Sequence, residues 1–420
     1  MNETPAKAHI KVTNWRLALL IVALAAVFRL WGAFDLHEYI EDEVLHVSDS
    51  ISVGTYGTTA NWGWHHPQLR SLIMYGTIRV FGDNPVGWRS SNIFFGTATV
   101  ALIFLIGRLL YPGSAAPLVA ASLLAFDPHH IYLSRTTFVE IPVTFFFLLY
   151  LYLMLEYIEN KRPVLPLAGI AMGLTIATKA YFVFAIPMVV LYAAYRIRVR
   201  GNLTRQVVVD FTLSLLLLPC AICILSYFPW FGRGHTFVEF VQMKMDAIWG
   251  LKELSAFINS DFLAAGGKPW EWFVKPLFWG HQRLMNSEEG RFLLQSNNPP
   301  FRMLVLPSML AATIYAWKRR LSRELLVPAL FGACYLLILL AQRPMFSYSS
   351  AVLLPCAYYA VARAVTIFAE RLKQETAVYV CFISLVLMWG LYMFPLLSAR
   401  LVPLYPFRPI LSMVGYMGNF

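Results

Sequence analysis

The chain is short of charge. Only 14% of its 420 residues are Asp, Glu, Lys or Arg, against about 25% in soluble domains, which argues against a water-soluble globular protein. Cysteines are few as well. All five (Cys220, Cys223, Cys334, Cys356 and Cys381) sit inside apolar stretches, which excludes a disulfide framework and any thiolate metal site with ordinary ligand spacing. The Cys220–Cys223 pair has CxxC spacing but lies in a hydrophobic run without partner ligands. There is no low-complexity tract, no visible inverted repeat and no polar block long enough for a separate soluble domain. The chain therefore reads as one membrane unit over residues 1–420. No small-residue cleavage site follows the first apolar stretch, residues 15–34, so that stretch is expected to be a retained signal anchor.

What is present is apolar. Hydrophobic residues make up 58% of the chain, and runs of roughly 17–25 residues mark membrane spans. About eleven are expected, near 15–34, 88–111, 114–132, 138–158, 163–178, 180–196, 206–229, 301–317, 324–341, 346–369 and 376–398. Residues 67–82 are apolar but broken by Arg70 and Arg79, and read as an interfacial helix. The fold class that follows is an all-α polytopic membrane protein. The net charge of +11 resides in short loops between apolar runs. Such placement is topogenic and argues against a nucleic-acid partner.

With Lys7, Lys11 and Arg16 inside, the alternate loops carry Lys161-Arg162, then Arg196 to Arg205, then Lys318-Arg319-Arg320, then Arg371 and Lys373. Basic loops on one side only agree with an odd number of spans, a cytoplasmic N-terminus and a location in the cell (inner) membrane. Two large loops fall outside. Residues 35–87 hold an acidic run, Glu41-Asp42-Glu43, and the sequence Trp64-His65-His66-Pro67, with Trp62 nearby; residues 230–300 hold Trp270, Trp272 and Asn297-Asn298-Pro299-Pro300. Their aromatic density suits interfacial helices.

Polar groups collect at the outside ends of the spans: Asp42, Glu43, Asp127, His129, His130, Arg135, Glu140, Lys179 and Arg343. Each has a structural explanation of its own. A loop acid is solvated, an arginine at a span end snorkels to a headgroup, and Glu140 at a helix start complements the helix dipole. Their shared face is what points to chemistry. Carboxylates beside cations at a membrane surface suit a neutral nucleophile and an anionic leaving group.

The same residues resemble the protein O-mannosyltransferase family, polyprenyl-phosphate-sugar-dependent enzymes of the GT-C architecture. Asp42-Glu43 matches the family's Asp-Glu pair, and His66-Pro67-Gln68-Leu69 its His-Pro-Pro-Leu element. Ser134-Arg135 with Glu140 matches its Ser-Arg and following acid, and Gly169 to Lys179 its Gly-rich helix ending in lysine. Trp270-Glu271-Trp272, Asn298-Pro299, and Arg343 with Phe346, Tyr348 and Pro355 follow in order. Departures are Gln68 for the second proline, Glu140 for an aspartate, and Ser347 and Ser349 where histidines often stand.

The resemblance implies an inverting transfer of a sugar, mannose first, from a polyprenyl phosphate to a Ser/Thr hydroxyl of a protein on the outer face. The alternative is transfer of a sugar or aminosugar to lipid A or another glycolipid, as in the aminoarabinose transferases. A transporter of lipid-linked sugar is less consistent, since its charges would lie near mid-membrane in repeated halves. Under this reading Asp42 is the base with Glu43 beside it. Arg135, Lys179 and Arg343 hold the donor phosphate. His65, His66, Glu140, Trp270, Trp272, Asn298 and Tyr348 line the substrate. A cationic site serves a lipid-phosphate leaving group, so neither metal nor cofactor is expected. The partners are the polyprenyl-phosphate sugar, an acceptor protein or lipid, and the bilayer.

Overall fold

The computed structural model describes residues 15–60, 66–246, 268–284, 289–340, 346–398 and 400–413. Helices dominate them. In chain order those used below are α1 (Trp15–Leu30), α2 (Glu43–Tyr56), α3 (Leu69–Phe81), α4 (Pro85–Leu110), α5 (Ala116–Ala125), α6 (Pro128–Ser134), α7 (Glu140–Asn160), α8 (Leu165–Thr178), α9 (Ala185–Val199) and α10 (Arg205–Leu225). Then come α11 (Val305–Lys318), α12 (Ser322–Leu340), α13 (Leu354–Leu372) and α14 (Glu375–Met393). A 3-10 segment, Ser347–Leu353, leads into α13.

The expected spans fall on helical segments, with 114–132 divided between α5 and α6. Among the described residues six helical stretches are long and apolar enough to cross a membrane: Pro85–Leu110, Glu140–Asn160, Arg205–Leu225, Ser322–Leu340, Ser347–Leu372 and Glu375–Leu397. They divide by burial. The windows in Pro85–Leu110, Glu140–Asn160 and Ser347–Leu372 are 61%, 72% and 78% buried, while that in Arg205–Leu225 is 17% buried; the former are the heart of the bundle and the latter presents its apolar surface outward. The short α5, Ala-Leu rich on every side, is buried along its whole length, as a helix without a polar stripe must be.

Local chemistry sets the joints. Asn84 opens α4 by accepting from the backbone N–H groups of Val86 and Gly87 at 2.9 and 3.4 Å, with Pro85 in the first turn. Gly169 and Gly173 stand one turn apart on α8 where α10 crosses. A side chain at Gly169 would meet the Ser214 carbonyl, and one at Gly173 would meet Ile222. Small residues four apart permit this close approach.

The long second loop differs from expectation. Residues 278–284 and 289–296 form an antiparallel hairpin, β1 and β2, and Leu401–Pro403 adds β3 on the far edge of β2. The chain is thus not purely α. The run Phe292-Leu293-Leu294 is buried on both faces, which a strand covered on two sides can do and an interfacial helix cannot.

Candidate active site

α2 is the element that builds the site. Its first turn follows Asp42, which occupies the cap position but whose side chain makes no capping hydrogen bond. With 3.6 residues per turn, Asp42, His46 and Asp49 share one face, and all three line a cavity of about 210 Å³. Glu140 from the start of α7 and Lys179 just past the end of α8 line it too, with Arg70 on α3, His66 and Tyr348.

The electrostatics are concentrated. Glu140 is fully buried; its Oε1 accepts from Lys179 Nζ at 3.0 Å and from the Tyr181 hydroxyl at 2.9 Å, while its Oε2 is buried without a hydrogen-bond partner. Tyr181 is tied in turn to Ser349 Oγ at 2.9 Å. Burial, and then the Glu140 charge, push the Asp42 carboxyl above the usual carboxylate range, with Lys179 and Arg70 opposing. Arg70 is buried on α3 and donates to the His46 carbonyl at 3.3 Å; burial lowers its pKa to about 10, so it stays cationic at neutral pH. Burial followed by the Arg70 and Lys179 charges holds His46 well below its ordinary value, so it is neutral, and its Nδ1 meets Thr137 Oγ1 at 2.9 Å.

Several expected site residues are placed elsewhere. Glu43 turns away from the cavity. Arg89 donates to it through Nε at 3.0 Å and Nη2 at 2.7 Å, and the Ile40 backbone N–H donates to Oε2 at 3.0 Å. Both of its oxygens are occupied, and it ties α2 to α4. Arg135 is 1% exposed and spends its guanidinium on carbonyls, Trp31 at 2.6 Å, Phe28 at 3.1 Å and Ser398 at 3.4 Å. An arginine walled in by backbone oxygens lies outside the cavity lining and staples α1 to the C-terminal region.

Asn298 is buried behind the site, donating to Asp127 at 2.7 Å and to the Tyr358 hydroxyl at 3.1 Å, while Tyr358 also donates to Asp127. Trp272 is fully buried in the core and Trp270 is half exposed; neither lines the cavity. His65, Trp62, Trp64, Lys7, Lys11 and Arg343 lie outside the described residues. Among the described residues no group of three or more His, Cys, Asp or Glu side chains could hold a metal ion.

Arg70, His46 and Asp49 were not singled out from the sequence, although a signal was present. Arg70 is in step with Met74 and Ile78, the buried face of α3, whereas Arg79 is out of step. His46 and Asp49 follow Asp42 at helical spacing.

Comparison with known proteins bears on this arrangement. The family model described as dolichyl-phosphate-mannose-protein mannosyltransferase matches residues 72–237, which hold Glu140 and Lys179 but not Asp42. A polyprenol-phosphate-mannose–protein mannosyltransferase of Corynebacterium glutamicum is 23% identical over 90% of this chain and 87% of its own length. A protein of that name from Mycobacterium tuberculosis is 23% identical over 64% of this chain and 62% of its own.

Among solved structures, ArnT from Cupriavidus metallidurans bound to undecaprenyl phosphate superposes with a TM-score of 0.57, at 15% identity, over 88% of this chain and 64% of that one. The Archaeoglobus fulgidus oligosaccharyltransferase in complex with zinc and sulfate gives 0.58, at 12% identity, over 91% and 53%. The chain thus spans less than two thirds of either solved structure. It has the GT-C glycosyltransferase fold and is similar to the dolichyl-phosphate-mannose-protein mannosyltransferases.

Proposed function

We propose that the protein is an inverting, polyprenyl-phosphate-sugar-dependent glycosyltransferase that moves a sugar, mannose in the first instance, to a Ser or Thr hydroxyl of a protein on the outer face of the membrane. One observation carries the reading. The Asp42 carboxylate has no hydrogen bond or ion pair among the described residues, and it shares a small cavity with two cations, Arg70 and Lys179.

The chemistry follows from that pairing. An alcohol is a poor nucleophile, and a positioned base assists it by taking the hydroxyl proton as the oxygen attacks the anomeric carbon. A carboxylate whose pKa lies above its ordinary range is, when ionised, a stronger base than one in water. The bond from the anomeric carbon to the phosphate oxygen breaks as the new one forms, and the electron pair leaves with the lipid phosphate. That leaving group needs positive charge rather than a proton. Arg70 and Lys179, which line the same cavity, supply it. Glu140 fixes Lys179 and, through its own charge, keeps the Asp42 proton affinity high. In the proposed inverting step the hydroxyl attacks the face of the anomeric carbon opposite the departing phosphate.

The sequence similarity to protein mannosyltransferases supports the protein acceptor; the likeness to ArnT is one of fold. The test is transfer by the purified chain from a labelled polyprenyl-phosphate mannose, offered a Ser/Thr-rich peptide or lipid A. Label on the peptide is the expected result. Label on lipid A alone replaces the protein acceptor with a lipid, and failure of both with competent donor removes the mannosyl reading.

A further inference from the structure

The end of the bundle remote from the cavity carries a second feature. α4 begins beside the cavity, where Arg89 meets Glu43, and its 26 residues carry it about 39 Å at 1.5 Å per residue. At that far end a groove of about 640 Å³ opens between α11 and α13. One part of it is apolar: Ala311 and Ile314 on α11 face Ile367 and Phe368 on α13. The other part is cationic, with Lys318, Arg319 and Arg371 where the two helices finish.

The charges do not cancel locally. Arg319 stacks on the Tyr315 ring at 5.8 Å, while Lys318 and Arg371 make no ion pair among the described residues. The carboxylate in the groove, Glu370, lies 3.7 Å from Arg363, which is itself bound by Glu324 at 2.8 Å. Each helix C-terminus contributes about half a negative charge, so Glu370 and the two helix ends together offset about two of the three cations and the groove keeps a net positive charge. Its apolar part is open outward, where Phe368 is 56% and the neighbouring Trp317 74% exposed.

An apolar channel that is open outward and ends in a net positive cluster has the outline of one class of ligand. A free anion would leave the apolar part empty. A zwitterionic lipid brings its own ammonium to the cations. We propose that this groove seats an anionic phospholipid, with acyl chain along Ile314 and Phe368 and phosphodiester at Lys318 and Arg371. The site is separate from the transfer cavity and does not depend on the transferase reading.

The experiment is native mass spectrometry of the full chain released from nanodiscs of equal phosphatidylglycerol and phosphatidylcholine. Wild type is expected to retain phosphatidylglycerol with a preference of roughly tenfold, the ratio for about 1.4 kcal/mol. Lys318→Gln with Arg371→Gln should abolish that preference, and the charge-conserving exchange Lys318→Arg with Arg371→Lys should restore it. Lys161→Gln with Arg198→Gln removes two exposed cations at the same bundle end but outside the groove, and should leave the preference intact.

Three results overturn the proposal. They are no preference in wild type, equal loss in both charge-removing variants (a diffuse basic field), and displacement of the lipid by inorganic phosphate at matched concentration (an anion site without a lipid).

Discussion

Asp42 and Glu43 are neighbours in sequence and about 100° apart around α2, and the two faces they begin have opposite characters. The Glu43 face continues through Val47 and Ser50, is buried, and packs Val47 with Met74, Ile78 and Trp88. Its carboxylate has a full set of partners. The Asp42 face continues through His46 and Asp49 along the cavity, and its carboxylate has no hydrogen bond or ion pair among the described residues. Arginines divide by position: both terminal nitrogens of Arg135 are held by carbonyls outside the cavity, while Arg70 lines the cavity with one carbonyl contact, to His46. A polar group that folding has satisfied is scaffold. A polar group brought to a cavity and left incompletely satisfied is available for substrate, at some cost in stability.

Substitutions on the two faces should separate activity from stability. The largest effect belongs to Asp42→Asn, expected to slow single-turnover transfer by roughly 10²- to 10⁴-fold, the usual worth of a general base. Its stability should hold or rise. The folded state raises the Asp42 pKa and so disfavours the ionised form, which means stability falls as pH climbs from the unfolded pKa through the folded one. An uncharged side chain removes that penalty, and a thermal midpoint well below wild type would place Asp42 in the scaffold instead.

Glu43→Ala is expected to act in the opposite way. Leaving Arg89 buried without its partner costs about 3–5 kcal/mol, read as a lower thermal midpoint, with the remaining folded fraction keeping most of its turnover. Among the arginines, Arg70→Gln should raise the donor KM by about 10- to 100-fold, matching the roughly 1.5–3 kcal/mol of a charged hydrogen bond. Arg135→Ala should lower the thermal midpoint and leave the donor KM unchanged; a raised KM for Arg135→Ala alone would reverse the assignment. The smallest effect is that of Glu140→Gln. Removing the charge that, after burial, raises the Asp42 pKa should move the rising limb of the pH–rate profile to lower pH, and a shift to higher pH would contradict it.

The helical segments and their order were legible in the sequence because membrane burial writes long apolar runs, although six described stretches, not eleven, are long and apolar enough to span. The hairpin at 278–296 was not, since a short strand covered on both faces shows no alternation. At the site, Asp42, Glu140, Lys179, His66 and Tyr348 come together at one cavity. The sequence could not divide Asp42 from Glu43, because the partner that decides the matter, Arg89, is 46 positions away. Arg135 misled for a similar reason: its partners are carbonyls of Phe28, Trp31 and Ser398, and carbonyls carry no sequence signature. Arg70 was overlooked as an interruption in an apolar run, although its register with Met74 and Ile78 marked it as inward-facing.

The central claim is that Asp42 takes the proton of the acceptor hydroxyl. The most direct test is the pH dependence of single-turnover transfer from polyprenyl-phosphate mannose to peptide, in wild type and in Asp42→Asn. Wild type should rise with pH through one apparent pKa above the usual carboxylate range, and the variant should be slow with that limb absent. A variant that keeps the wild-type limb would show that another group is the base.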